Sequence, residues 1–291
     1  MRIGFIGFGT MGAPMAGHLL RAGHTLFVWS RRAASADSLV GQGANWCDSP
    51  AAVAATSEVV VTNVTGSADV EGLAAQLAAG FARGGIHLDF STIAPSAARR
   101  IAALYAPQGV EFVDAPVSGG GLGAQNATLA IMWGGKSALA PRLQPIFDVL
   151  GKTVVHVGET GAGQVAKACN QMVMVAAIEA CAEAARLAAA AGVDFTKVWT
   201  AMQGGSAGSR VLEVFGGRMA TREFSAGVEA RLHHKDYALL MDEATRIGAP
   251  LPVAAAVWQQ LNALMAHGWG TRDTSSLLRV LEAGSGADAE R

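Results

Sequence analysis

The opening of the chain constrains it most. A short apolar run, MRIGFI, leads straight into Gly7-Phe8-Gly9-Thr10-Met11-Gly12 and then into the helical pattern APMAGHLLRA. The spacing G-x-G-x-x-G is weak evidence by itself, because glycines cluster in many turns. Between a strand and a helix it acquires a mechanism. Gly7 allows the tight turn, Gly9 lets a pyrophosphate approach the backbone, and Gly12 permits close helix packing, while the helix N-terminus faces the phosphates. Gly7, Phe8, Gly9, Thr10, Met11 and Gly12 are therefore the expected dinucleotide-binding loop.

The next β-rich run ends Trp29-Ser30-Arg31-Arg32. A carboxylate at that place would bond the 2′-hydroxyl of NAD, and none is there. Two guanidiniums instead suit a 2′-phosphate, so Ser30, Arg31 and Arg32 favour NADP, with NAD possible.

Strand-like runs recur at 2–6, 25–29, 58–64, 86–90, 111–113, 127–133 and 152–157, with helical stretches at 11–22, 68–79, 95–105 and 137–150. That alternation predicts an α/β, doubly wound Rossmann-type sheet with parallel strands over residues 1–160. Beyond Gly158 only helical periodicity remains, which predicts an all-α domain over 161–291. A helix over 162–191 would run about 45 Å and form its spine. The last residues, AGSGADAER, are expected to fray.

With 51% hydrophobic and 15% charged residues the chain can bury a large core, and a net charge of −1 gives no reason to expect nucleic acid or membrane as partner. Cys47, Cys169 and Cys181 are odd in number and lack C-x-x-C spacing, so neither disulfides nor a metal site is expected, which suits a cytoplasmic protein. The apolar stretch 168–193 carries Asn170, Gln171, Glu179, Glu183 and Arg186, unlike a membrane span.

Open α/β sheets bind ligands beyond the carboxyl ends of their strands. Three further segments end strands here: Asn63-Val64-Thr65-Gly66, Asp89-Phe90-Ser91-Thr92 and Asp114-Ala115-Pro116-Val117-Ser118-Gly119-Gly120. Ser118 with Gly119 and Gly120 offers a hydroxyl and exposed N–H groups to a carboxylate. Asp89 and Asp114 have no acid or base partner in the sequence and are expected to be strand-end or cap residues. In GETGAGQVAKACNQ, Lys167, Asn170 and Gln171 share one helix face. A lysine there can protonate a carbonyl oxygen as it gains negative charge from hydride.

These motifs resemble the β-hydroxyacid dehydrogenase family over nearly the whole chain: GFIGFGTMGAPMAGHLL the cofactor signature, DAPVSGGGLGAQNATLAIMWGG the substrate segment, GAGQVAKACNQ the catalytic segment, HHKDYALLMDEA a late helix. The resemblance implies that Lys167 is the acid/base and Asn170 its neighbour at the substrate. It implies that Ser118, Gly119 and Gly120 take the substrate carboxylate. As strand-end residues Asn63 and Val64 are expected beside the cofactor, and the resemblance implies Thr92 and Lys235 on its nicotinamide side, Lys235 also reaching substrate, with Asp236 nearby. His233 and His234 are expected to be structural or rim residues. His18 and Ala127 stand where the pattern usually has asparagine and glycine; the first is expected to alter helix packing, the second to reshape the pocket.

The C-terminal run NALMAHGWGTRDTSSLLRVLE looks closer to the tartronate semialdehyde (2-hydroxy-3-oxopropionate) reductases of that family, with the 3-hydroxyisobutyrate dehydrogenases as the alternative that the resemblance implies. Lys167 argues against an imine reductase on the same scaffold, and against a non-catalytic dinucleotide-binding module. The resemblance also implies a homodimer or homotetramer.

Overall fold

In a computed structural model, which describes residues 1–225 and 227–284, the chain divides into two compact units, Met1–Lys167 and Ala168 onward. The expected frayed tail lies outside the described residues from Ser285 on.

The first unit contains strands β1 Arg2–Ile6, β2 Thr25–Trp29, β3 Asn45–Trp46, β4 Val59–Thr62, β5 Ile86–Asp89, β6 Glu111–Asp114, β7 Val117–Ser118, β8 Leu129–Gly134 and β9 Gly151–Gly158. Its helices are α1 Gly12–Arg21, α2 Asp37–Gly41, α3 Pro50–Thr56, α4 Ser67–Ala78, α5 Pro95–Tyr105, α6 Gly120–Gln125 and α7 Ala140–Leu150. Strands pair in the order β3-β2-β1-β4-β5-β6, all parallel. Their register sets Ile6 beside Trp29 and Thr62, Thr62 beside Asp89, and Asp89 beside Asp114. Five strands thus end in one row, and the segments after them emerge along one edge of the sheet, where such sheets bind ligands.

The expectation of a wholly parallel sheet fails beyond β6. β8 runs antiparallel to β6 and β7, and β9 lies parallel to β8. After Ser118 the chain turns back through the six-residue α6, too short a helix to carry it across the sheet into a parallel return.

β4 and β5 are buried at every position, as strands covered on both faces must be. Ile3, Phe5, Val59, Val61, Ile86 and Leu88 pack on one face with Met15 and Leu19 of α1 and Ile146 and Phe147 of α7. On the other face Ile6 and Val60 meet Val53 and Leu77. Elsewhere Phe112 joins Ile101 and Tyr105.

The long helix α8, Ala162–Ala190, starts in the first unit and continues into the second. α9 Phe195–Gln203, α10 Gly217–Thr221, α11 Ala230–Ile247, α12 Pro252–Ala266 and α13 Leu277–Gly284 follow it. Val175, Ile178 and Ala182 of α8 form their core with Tyr237, Leu240, Leu261, Leu264 and Leu277. No described helix is long and apolar enough to cross a membrane.

Candidate active site

The glycine loop joins β1 to α1. Gly7 has φ 106°, and a Cβ there would strike the Asn63 carbonyl; a Cβ on Gly12 would strike the Gly7 carbonyl oxygen. Both positions therefore exclude side chains, one through conformation and contact and the other through contact alone. A Cβ on Gly9 would meet nothing within 4 Å. The space above Gly9 is an open cradle that a side chain would fill, which fits a pyrophosphate lying on the backbone. α1 has no side-chain N-cap and no acidic residue in its first turn, so nothing of the protein's own competes for an anion there. The Phe8 ring stacks on Phe5 with centroids 5.8 Å apart. Thr10 approaches the substrate segment, its methyl lying 3.2 Å from the Cβ position of Gly121.

At the end of β2 the fold supplies a carboxylate absent from that stretch of sequence. Asp69, in the first turn of α4, lies 3.4 Å from the guanidinium of Arg31, whose side chain is 78% exposed. Arg32 is exposed beside it, and Ser30 is half-buried.

The segments after β4 and β5 hold one another. The Val64 amide donates to Ser91 Oγ at 2.8 Å, and Ser91 Oγ donates to Asp89 at 2.6 Å. Asp89 also accepts from the Ser91 amide and from Thr62 Oγ1. Behind Thr62 lies His87, 2.8 Å away and also 3.0 Å from the Tyr105 hydroxyl. Burial pushes His87 down to about 3, so it is neutral at ordinary pH. Asp89 is thus the anchor of a buried polar chain rather than a bare strand end. Asn63 is fixed by its amide on the Ile6 carbonyl.

Asp114 caps α8. Its two carboxylate oxygens accept from the amides of Gly161 at 2.6 Å and Gln164 at 2.9 Å. Burial pushes its carboxyl up to about 7, opposed by those two donors. One turn later Lys167, 7% exposed, donates from Nζ to the Val117 carbonyl at 2.9 Å. The ammonium therefore sits against the residue that precedes Ser118, Gly119 and Gly120. Gln164 carries no signal in the sequence that marks it as a site residue. Its carboxamide donates to the Ser91 carbonyl at 2.9 Å and accepts from the Ile93 amide at 3.1 Å, so it grips the backbone on either side of Thr92.

The second unit holds its own chain of contacts. Asn170 Nδ2 donates to Gln171 Oε1 at 2.9 Å, Gln171 Nε2 donates to Asp236 at 2.7 Å, and Lys235 Nζ lies 3.1 Å from Asp236. Gln171 and Asp236 are buried, and they connect Asn170 to Lys235. His233 pairs with Thr274 in the core, and His234 bonds Asn262 and stacks on Trp258.

Two positions that depart from the resemblance are also resolved. His18 Nε2 lies 2.9 Å from the Gln125 carbonyl, tying α1 to the end of α6. Ala127 has φ 54°, so a glycine suits that position for the sake of the backbone.

The family model described as the NAD binding domain of 6-phosphogluconate dehydrogenase matches residues 2–158. That for the NAD-binding of NADP-dependent 3-hydroxyisobutyrate dehydrogenase matches residues 161–281. The 2-hydroxy-3-oxopropionate reductase of Escherichia coli is 38% identical over 290 residues, covering 97% of each chain. The probable 3-hydroxyisobutyrate dehydrogenase-like 1, mitochondrial, of Arabidopsis thaliana is 38% identical over 285 residues, 97% of this chain and 85% of that one. The structure of Mycobacterium tuberculosis 3-hydroxyisobutyrate dehydrogenase with L-serine superposes with a TM-score of 0.90 at 30% identity, covering 96% of this chain and 98% of that one. The chain therefore belongs to the β-hydroxyacid dehydrogenase family and is an NAD(P)-dependent oxidoreductase.

Proposed function

We propose that the chain interconverts a short β-hydroxyacid and its semialdehyde with NADP as the preferred cofactor, and that the semialdehyde is tartronate semialdehyde. The observation that carries the reading is the buried Lys167 ammonium, held on the Val117 carbonyl next to Ser118. A dinucleotide held there would supply the hydride. Lys167 gives its proton to the carbonyl oxygen as negative charge develops there, and Asn170 holds that oxygen. Ser118, Gly119 and Gly120 bind the carboxylate. Gly7 to Gly12 take the pyrophosphate, Asn63, Val64 and Thr92 line the path to the nicotinamide, and Ser30, Arg31 and Arg32 take the 2′-phosphate. The Arg31 to Asp69 pair, exposed on its arginine side, is of small worth, so a phosphate dianion displaces it.

The Escherichia coli reductase supports tartronate semialdehyde, and the Arabidopsis relative, equally identical, supports 3-hydroxyisobutyrate as the second reading. Three free cysteines fit a reducing, cytoplasmic setting. Self-association belongs to the same reading: α8 exposes Val173 and Leu187, two turns on either side of Ala180.

The test is oxidation of NADPH, and of NADH, with tartronate, methylmalonate and succinic semialdehydes and glyoxylate. Lys167→Ala should lower turnover by about a hundredfold or more and leave cofactor binding intact. Near-normal turnover in that variant removes the acid assignment, and greater efficiency with NADH removes the roles of Arg31 and Arg32.

A further inference from the structure

Lys167 can act only if the segment lining the cofactor and the helix bearing the lysine keep a fixed offset. Those two pieces of chain are far apart in sequence, and their own backbone hydrogen bonds do not join them at this point. β5 ends at Asp89, and the next residues leave the sheet. Ala94 is tied to Ser67, and Ser91 to Asp89 and Val64. Between these fastenings the Ser91 carbonyl and the Ile93 amide are both satisfied by one side chain, that of Gln164, which is 2% exposed. Gln164 is itself fixed, because its amide donates to Asp114 in the cap of α8. Lys167 follows three residues later on the same helix.

We infer that Gln164 is a positioning residue: its buried carboxamide, bonded to the backbone on both sides of Thr92, holds that segment in register with the turn of α8 that presents Lys167. The inference rests on the proposed acid role of Lys167. Only a group that donates and accepts side by side can make this pair of bonds, and a carboxamide does so without charge. Loss of either bond leaves a buried backbone group unsatisfied and frees the segment to shift. A displacement of about 1 Å at a reacting centre costs on the order of a hundredfold in rate.

Two variants separate positioning from packing. Gln164→Met keeps the volume and loses both bonds. Gln164→Glu keeps the acceptor, but its ionised carboxylate cannot donate to the Ser91 carbonyl, whereas its protonated form can. Kinetics across pH 5 to 9, the dinucleotide dissociation constant and amide exchange in the cofactor-free protein are the readouts. In Gln164→Met we expect kcat to fall about 10- to 100-fold. The Ile93 amide should exchange faster while the body of α8 stays protected. In Gln164→Glu we expect activity to recover toward wild type as the pH falls and the introduced carboxyl takes a proton. Wild-type kcat in Gln164→Met, or equal losses in both variants at every pH, overturns the inference. If α8 loses protection along its whole length, the role is structural, which also overturns it. Near-normal turnover in Lys167→Ala would instead remove the acid reading and leave the exchange result to stand or fall alone.

Discussion

Ala127 carries a backbone conformation that its side chain opposes. At φ 54° it lies in the left-handed region, where a Cβ crowds the following carbonyl. Ala127→Gly should therefore stabilise the protein by about 1 kcal/mol in thermal or urea unfolding, and an unchanged or lowered midpoint would refute the strain. Glu179 carries a different cost. It is 5% exposed, and neither carboxylate oxygen has a hydrogen-bond partner among the described residues. Burial first, and the charge of Glu183 second, push its carboxyl up to about 7. Between roughly pH 4 and 7 the unfolded chain has lost this proton and the folded chain has kept it, so stability falls as pH rises through that window and levels off above it. Glu179→Gln removes the titration. At a fixed protein concentration the variant should gain on the order of 3 kcal/mol relative to wild type between pH 4 and 8, and parallel stability curves would exclude the effect.

Elements were legible in the sequence where their signal is local. β1, β2 and the span of α8 match the strand and helix periodicities within a residue, because a buried strand or a long apolar helix repeats its pattern over many positions. The short pieces escaped: β3 and β7 have two residues each, and α2 and α6 have five and six. α3 did leave a signal. Ser49 caps it through the Ala52 amide and Pro50 opens it, a start mark readable in the sequence. The reversal of β8 had none, since its direction depends on pairing with β6 and β7. The site divides in the same way. The glycine loop could be read from its spacing between a strand and a helix, and Lys167 from the helix face it shares with Asn170 and Gln171. Asp69 beside Arg31, Asp89 beneath Ser91 and Gln164 on both sides of Thr92 could not, because the last pair is 73 residues apart between Ser91 and Gln164 and only the register of the sheet brings it together.

At the scale of the whole molecule, the long helix presents a face that water should not favour. Along α8, Val173, Ala176, Ala180, Glu183 and Leu187 follow one another at three- and four-residue steps on a single side, and Val173 and Leu187 are 66% and 73% exposed. A solvated helix face is ordinarily charged, and here one residue in five is. The two large side chains lie at equal distances from Ala180. A second copy crossing antiparallel at Ala180 would set each Val173 against the other's Leu187, the self-complementarity that a two-fold interface requires. The small side chains of Ala176 and Ala180 would let the helices approach closely. Sedimentation at micromolar concentration should therefore show an assembly larger than the 29.7 kDa chain. Val173→Lys with Leu187→Lys should reduce it to a folded monomer with an unchanged circular dichroism spectrum, since neither side chain is in the core. A wild type that sediments as a monomer, or an assembly indifferent to both lysines, would place the partner of this face elsewhere and return the exposed leucine and valine to the ordinary apolar share of a protein surface.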